Sequence, residues 1–510
     1  MNKRSLNYLI ITSLFLIICG PTGISAQEPF QGFDDYMNKA MKDWEVPGMA
    51  IAVVKDDRVV YAKGYGVREI GKAAPVDEHT LFAIGSSSKA FTAAAIAMLV
   101  DEGKLKWDDK VSQYLPAFQL YDPYVTREMT VRDLLTHRIG LERGDQLWYA
   151  TPYSREEILR RIRYLAPSSS MRSRFGYQNI MFLAAGEIVP VITKKSWDDL
   201  VAERIFAPLG MNESGTSIRT LSRSNDVSTP HVKIDDKVQP VAWRLIDNIA
   251  PAGSINSSAV DMAQWVRLQL GKGKFNGKQL LKEASVKEMQ TPQTIIRLEG
   301  LYPLIYPEAH FFSYGMGWFL SDYRGKKLVE HGGAIDGMRA LVAMVPEENV
   351  GIVILTNMNG TVLPQFLAYR IFDTYLGHPP KDWQADGLKR IKALEAQAKA
   401  AQEKALSERV KGTSPSLGLE NYAGKYSSEM YGDAEIVFSG GKLSARFGPN
   451  YSGTLEHWNY DTFQVIWRDP VMGKSLISFN LNTRGKVETV DLGTMGKFTK
   501  VPDKTSDAGN

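Results

Sequence analysis

Two pairs of apolar runs stand at opposite ends of a long stretch of helical pattern, and nothing else in the sequence constrains the fold as strongly. Residues 50–54 and 58–62 flank Lys55-Asp56-Asp57, and residues 339–345 and 350–356 flank Pro346-Glu347-Glu348-Asn349. β-Branched runs on either side of a short polar turn read as antiparallel hairpins. A lone hairpin is marginal in water. The two pairs are therefore expected to share one antiparallel sheet, with the chain between them packed against it. That interval reads as helix at 87–101 (Ala-rich, stopping at Gly103), 131–136, 180–189, 196–206 and 260–270, the last after the small-residue stretch 253–258. The fold class expected is α/β, in the α+β sense.

The composition shifts after Pro380. From about Lys389 to Lys411 the chain is dense in Ala, Lys, Glu and Gln, which reads as a solvated linker helix broken by residues 412–415. Beyond Glu420, short β-type runs at 434–438, 463–467, 476–481 and 487–492 alternate with turns. Such spacing suggests a small all-β barrel or sandwich. Edge strands of such a module could pair with a second copy, so the oligomeric state stays open.

The N-terminus has Lys3 and Arg4, an apolar run of 12 residues from Tyr8 to Cys19, and Ile24-Ser25-Ala26 before Gln27. A basic start, a short apolar core and a small-residue exit form an export signal, expected to be cleaved after Ala26. The run is shorter than the ~20 residues of a membrane span. Lipidation at Cys19 is the lesser reading, because Ile18 stands where a small residue is wanted. Cys19 is the sole cysteine, so the exported chain is expected to hold no disulfide and no thiol nucleophile. The formal net charge of +4, two units of it from Lys3 and Arg4, gives no reason to expect a nucleic-acid partner. The expected division is a signal at 1–26, a large domain at 27–380, a linker at 381–415, a β domain at 416–502 and a tail at 503–510.

Three short patterns carry chemistry. In Ser86-Ser87-Ser88-Lys89, at the start of the Ala-rich helix, three residues make one turn, so Lys89 lies beside the Ser86 hydroxyl. A serine needs a neighbouring base to become a nucleophile. A buried lysine, its ammonium destabilised by desolvation, can serve. The pattern recurs as Ser439-Gly-Gly-Lys442, which reads as a hairpin tip. Tyr177-Gln178-Asn179 precedes a helix; a tyrosine among lysines can pass a proton to a leaving group. It has a decoy in Tyr36-Met37-Asn38, where Tyr36 reads as a packing residue. His331-Gly332-Gly333 precedes Ala334 and the second hairpin, and paired glycines would let a substrate backbone lie close to a strand. Trp148 and Tyr149 could line a pocket or belong to the core. Glu142 and Asp145 read as solvated loop acids. No metal-binding or nucleotide-binding motif is found, so no metal and no cofactor are expected.

The order and spacing of the three patterns resemble the serine β-lactamase and penicillin-binding superfamily. The Tyr-x-Asn form is similar to class C β-lactamases, D-aminopeptidases and CubicO-type serine hydrolases. Asp101-Glu-Gly-Lys-Leu, the stretch from Leu134 to Leu141, Pro208-Leu-Gly-Met211 and Pro251-Ala-Gly253-Ser agree with it, from about Asp34 to Leu376. Residues 422–501 resemble the lipocalin-like appendage of some relatives, a part that can border the active site or simply stabilise. The resemblance implies a β-lactamase-like antiparallel sheet flanked by helices, with an all-α subdomain. It implies a Ser86 acyl-enzyme, Lys89 as base and Tyr177 as proton donor. Asn179 would orient Lys89 and the substrate, and the N–H groups of Ser86 and Ala334 would hold the oxyanion.

Relatives with a Lys-Thr-Gly third motif offer a cation there, whereas His331 is expected to be neutral. This favours an exported amidase or peptidase acting on a small-molecule or peptide substrate, such as D-amino-acid or wall-derived peptides. A carboxylesterase or β-lactamase, and a penicillin-binding sensor with little turnover, are the alternatives.

Overall fold

The computed structural model describes residues 30–379, 381–448 and 450–502. The expected signal, Cys19 and the tail at 503–510 lie outside them. The large domain is built on one antiparallel sheet. Its strands are β1 (Gly48–Lys55), β2 (Arg58–Gly66), β3 (Thr294–Ile296), β4 (Phe312–Tyr314), β5 (Phe319–Tyr323), β6 (Lys326–Ile335), β7 (Met338–Val345) and β8 (Val350–Thr356), in the spatial order β2-β1-β8-β7-β6-β5-β4-β3. The two sequence-distant hairpins do join: Ala50 faces Leu355 and Val53 faces Ile352. β8 is buried along its whole length and β1 along all but Lys55, hence their unbroken apolar runs. Asp56 (φ 50°) and Asp57 (φ 62°) make the tight left-handed turn between β1 and β2.

Helices α1 (Phe33–Asp43), α2 (Ser88–Asp101), α3 (Asn179–Thr193), α4 (Ala259–Leu270), α5 (Leu363–Tyr375) and α6 (Trp383–Ser407) complete the main scaffold. α4 packs on β1 and β8, and α5 on β7 and β8. α2 is buried from Ser88 to Leu99. Its alanines let α3 and the turn Ala250–Gly253 approach closely. α6 begins earlier than the charged composition indicates. Trp383 is buried and donates its indole N–H to Asp373 at 2.7 Å, and a Cβ on Gly387 would lie 2.2 Å from the Phe366 ring. The helix is exposed beyond these first turns.

The C-terminal strands β9 (Gly424–Ser428), β10 (Gly432–Ser439), β11 (Lys442–Phe447), β12 (Tyr451–Asn459), β13 (Thr462–Trp467), β14 (Lys474–Leu481), β15 (Val487–Asp491) and β16 (Lys497–Lys500) form a closed eight-stranded barrel. Alternate residues such as Leu443, Ala445 and Phe447 fill its interior. Because β9 pairs with β16, no edge strand is left, and the expectation of free edges is corrected. The barrel docks on the large domain through Met430, which joins the large domain's core. The Tyr153 hydroxyl donates to the Tyr431 carbonyl at 2.8 Å, the Asn450 amide to the Ala150 carbonyl at 3.0 Å, and the Tyr451 hydroxyl to the Tyr149 carbonyl at 2.7 Å.

Candidate active site

A short turn at residues 84–87 carries the chain from the strand Phe82–Ala83 into α2. Gly85 takes φ +49°, and a Cβ there would meet the Ala334 nitrogen at 2.6 Å. A Cβ on Gly333 would lie 1.7 Å from the Ile84 carbonyl oxygen and 3.0 Å from the Ser86 nitrogen. These two glycines let β6 press against the turn and bring the backbones of Ser86 and Ala334 together. Gly333 therefore accommodates the protein's own turn, where the sequence pointed to a substrate backbone.

Lys89 lies one helical turn on. Its Nζ is 3.0 Å from Ser86 Oγ and donates to the Ala252 carbonyl at 2.7 Å. The side chain is buried and, among the described residues, no carboxylate is bonded to it. Burial, reinforced by the Arg143 cation and opposed by Asp145, holds Lys89 well below the ordinary lysine range. Tyr177 completes the cluster. The Lys89 nitrogen lies 5.0 Å from its ring centroid. Burial pushes the Tyr177 phenol up, against hydrogen bonding to Ser86 and the charge of Arg143. The site thus pairs a lysine held toward its neutral form with a tyrosine held toward its protonated form, both beside one hydroxyl.

The His137 ring packs against Tyr177 with centroids 4.2 Å apart, and its Nδ1 accepts the Gln178 backbone N–H at 3.0 Å. Asn179 begins α3 and faces the pocket, but its amide donates to Asp145 at 2.8 Å; the Ala252 carbonyl holds Lys89 in its place. His331 is buried beneath the pocket among Tyr314, Phe319 and the Ser86 turn, and does not line it. Its Nδ1–H donates to the Gly332 carbonyl at 2.7 Å, which leaves Nε2 to accept the Tyr314 hydroxyl at 3.0 Å. Burial, with Lys89 adding to it, lowers His331 to about 3, so the ring is neutral. The decoys stand apart. Ser439 and Lys442 flank an exposed turn, and Tyr36 lies on α1, its hydroxyl accepting the Gln384 N–H at 3.3 Å.

The cavity over Ser86 has a volume of about 240 Å³. Trp148 and Tyr149 both line it, with Ala334 and Asp336. Asp145 also faces it: Oδ1 accepts from Trp148 and Asn179 at 2.8 Å each, and Oδ2 accepts from Arg143 at 2.6 Å. Asp336 accepts from the Tyr149 hydroxyl at 2.6 Å and from Arg244 at 2.6 Å, and Arg244 also donates to Asp469 of the barrel. Arg143 and Arg244 have no recognisable motif in the sequence.

The sequence matches the Beta-lactamase family over residues 33–376 and a domain of unknown function (DUF3471) over residues 408–502. It is 29% identical to the unguisins hydrolase ungD of Aspergillus violaceofuscus, over 85% of this chain and 82% of the relative. It is 25% identical to protein flp of Staphylococcus aureus, over 66% and 65% of the two chains. Its fold is similar to that of the octameric penicillin-binding protein homologue from Pyrococcus abyssi, with a TM-score of 0.62, 22% identity, and 92% and 99% of the chains covered. The chain belongs to the Beta-lactamase family and is a serine hydrolase of the β-lactamase and penicillin-binding superfamily.

Proposed function

We propose that this beta-lactamase family member is an exported hydrolase that cleaves amide bonds of small peptides, such as D-amino-acid or wall-derived ones, through a Ser86 acyl-enzyme. The observation that carries this reading is the 3.0 Å contact between Ser86 Oγ and a buried Lys89 to which, among the described residues, no carboxylate is bonded. A lysine so placed is biased toward its uncharged form, the form that can accept the serine proton. Ser86 Oγ then bonds the substrate carbonyl carbon, and the oxyanion forms against the N–H groups of Ser86 and Ala334, each donor worth about 10²–10³ in rate. As the C–N bond breaks, Tyr177 protonates the departing nitrogen, and the Lys89 ammonium returns a proton to the phenolate. Water then attacks the ester, giving one proton to the active-site bases and releasing the acid as Ser86 Oγ recovers its own.

The neutral, buried His331 offers no cation to a β-lactam carboxylate, which favours peptide or ester substrates. A carboxylesterase uses the same steps and is the second reading. The names of the Aspergillus relatives are those of hydrolases, which supports turnover over a persistent adduct. Export rests on the apolar N-terminal segment.

Intact-mass measurement after fluorophosphonate treatment tests the nucleophile. One adduct is expected on wild type and on Ser439→Ala, and none on Ser86→Ala. An adduct that survives in Ser86→Ala would show that another residue is the nucleophile.

A further inference from the structure

We propose that His137 is the positioning residue of the proton donor. It holds Tyr177 where the hydroxyl reaches the leaving group, so its removal slows the loss of basic leaving groups and spares those that depart without a proton. This rests on the acyl-transfer reading above and adds a residue to it. His137 grips the chain on both sides of Tyr177. Its carbonyl accepts the Gly176 N–H at 2.8 Å, and its ring Nδ1 accepts the Gln178 N–H at 3.0 Å. Its ring lies against the Tyr177 ring, with centroids 4.2 Å apart. Gln178 is anchored in turn: its Oε1 accepts the Ile180 N–H at 2.9 Å, and its Nε2 donates to the Glu142 carbonyl at 2.6 Å. Tyr177 is thus fixed between two held neighbours, and one histidine holds both.

Packing alone does not account for a histidine here. Because Nδ1 accepts, the neutral ring carries its proton on Nε2. That buried N–H has no hydrogen-bond partner among the described residues. Around it stand the rings of Phe175, Phe182 and Tyr314, with centroids at 5.6, 5.2 and 4.6 Å. An apolar side chain would fill the same space without an orphan donor. The backbone carries a second cost, since His137 takes φ 53°, a left-handed conformation uncommon outside glycine. Both costs fall on the residue that supplies the acceptor to Gln178, and such costs gather at functional sites. Burial, with Lys89 adding to it, holds His137 well below the ordinary histidine range, which keeps Nδ1 free to accept. What the clamp provides is distance. A proton passes only while the phenol oxygen lies within hydrogen-bond reach of the departing atom.

Two phosphonate probes that differ only in their leaving group test this without a known substrate. With the phenyl ester, Ser86 Oγ bonds phosphorus, the bond to phenoxide breaks, Tyr177 gives phenoxide its proton, and the Lys89 ammonium returns one to Tyr177. With the fluoride, the anion leaves unprotonated. Intact mass gives the labelling rate for each probe, and the fluoride-to-phenoxide ratio isolates the proton transfer. Tyr177→Phe should raise that ratio about 10²-fold, the lower end of a general acid's share. His137→Leu, which removes the acceptor, should raise it about tenfold. His137→Asn, which offers an acceptor at the same place and tolerates the left-handed backbone, should recover most of that loss. In Tyr177→Phe, adding His137→Leu should not raise the ratio further. Should His137→Leu take neither probe, His137→Gln, whose acceptor stands one bond too far out, takes its place. An unchanged ratio with both rates lowered alike, an Asn variant no better than Leu, or a further rise in the double variant would overturn the proposal. A wild type that takes no fluoride label at Ser86 would instead overturn the acyl-enzyme reading, and an unchanged ratio in Tyr177→Phe would remove Tyr177 as the donor.

Discussion

Lys89 shows how burial creates chemistry that its residue type does not ordinarily have. An exposed lysine is an ammonium near neutral pH and cannot accept a proton. In α2 the side chain loses hydration, and the Arg143 charge stands against a second cation nearby. Both disfavour the ammonium. The acidic limb of kcat/KM should therefore lie well below the usual lysine range, with activity rising as Lys89 loses its proton. Removing Arg143 removes one of the two causes, so Arg143→Gln should raise the Lys89 pKa and move that limb to higher pH. A limb that stays in place would mean that Arg143 does not act on the base. Lys89→Met should lower acylation by about 10²–10⁴-fold, the usual share of a general base. Fluorophosphonate labelling rates across pH read both effects. No limb near the ordinary histidine value is expected from His331, which is already neutral.

At the scale of elements, β6 organises the site by alternation. His331 and Gly333 face the Ser86 turn and the Tyr314–Phe319 rings, whereas Glu330 and Gly332 face Tyr306 and Gln365. Glu330 is fully buried and accepts the Tyr306 hydroxyl. Burial raises it from 4.5 to about 7. A carboxyl raised on folding keeps its proton in the native state while the unfolded chain loses it. Its stabilising contribution is therefore present below about pH 4.5 and lost as pH rises to about 7. Glu330→Gln mimics the protonated form, so its stability should be flatter across that window. Above it, the variant should gain at most about 3 kcal/mol, read by denaturant unfolding across pH. A variant with the wild-type slope would place the pH dependence elsewhere.

The same strand shows what the sequence could and could not convey. Ser86 and Lys89 were legible because one helical turn fixes their separation, and the joined hairpins because apolar runs need a partner. The His331-Gly-Gly motif was legible as a place, but its facing depends on sheet register, so His331 and Gly333 look inward at the protein. Asn179 and Asp145 are both legible as residues, but Asp145 reads as a solvated loop acid, and its pairing with Asn179 is hidden because loop 140–147 folds back through left-handed glycines that no periodicity encodes. Arg143 lies in that same loop and Arg244 in the irregular stretch 241–246, so neither belongs to a periodic pattern or motif, and Trp148 and Tyr149 read equally as core or pocket in the sequence.

At the scale of the molecule, the barrel supports the cavity from behind. Every described residue lining the cavity comes from the large domain, between Ser86 and Asn359. The barrel acts one contact further out. Tyr451 holds the Tyr149 backbone, while Asp469 and Asp336 share Arg244, and Asp336 in turn holds the Tyr149 hydroxyl. Tyr149 is thus fixed at both its main chain and its phenol, and both fixing chains are rooted in the barrel. Asp469→Ala should leave Ser86 able to take a fluorophosphonate label, because Ser86, Lys89, Tyr177 and Ala334 make no contact with Asp469. It should loosen the wall formed by Tyr149, so KM should rise several-fold with kcat changed less. Arg244→Met should act in the same direction. Because the two residues share one contact chain, the double variant should fall short of the sum of the single effects, with a coupling of about 0.5–3 kcal/mol. Full additivity would mean that Asp469 and Arg244 do not act through one chain, leaving the Tyr451 bond to the Tyr149 carbonyl as the barrel's hold on the cavity.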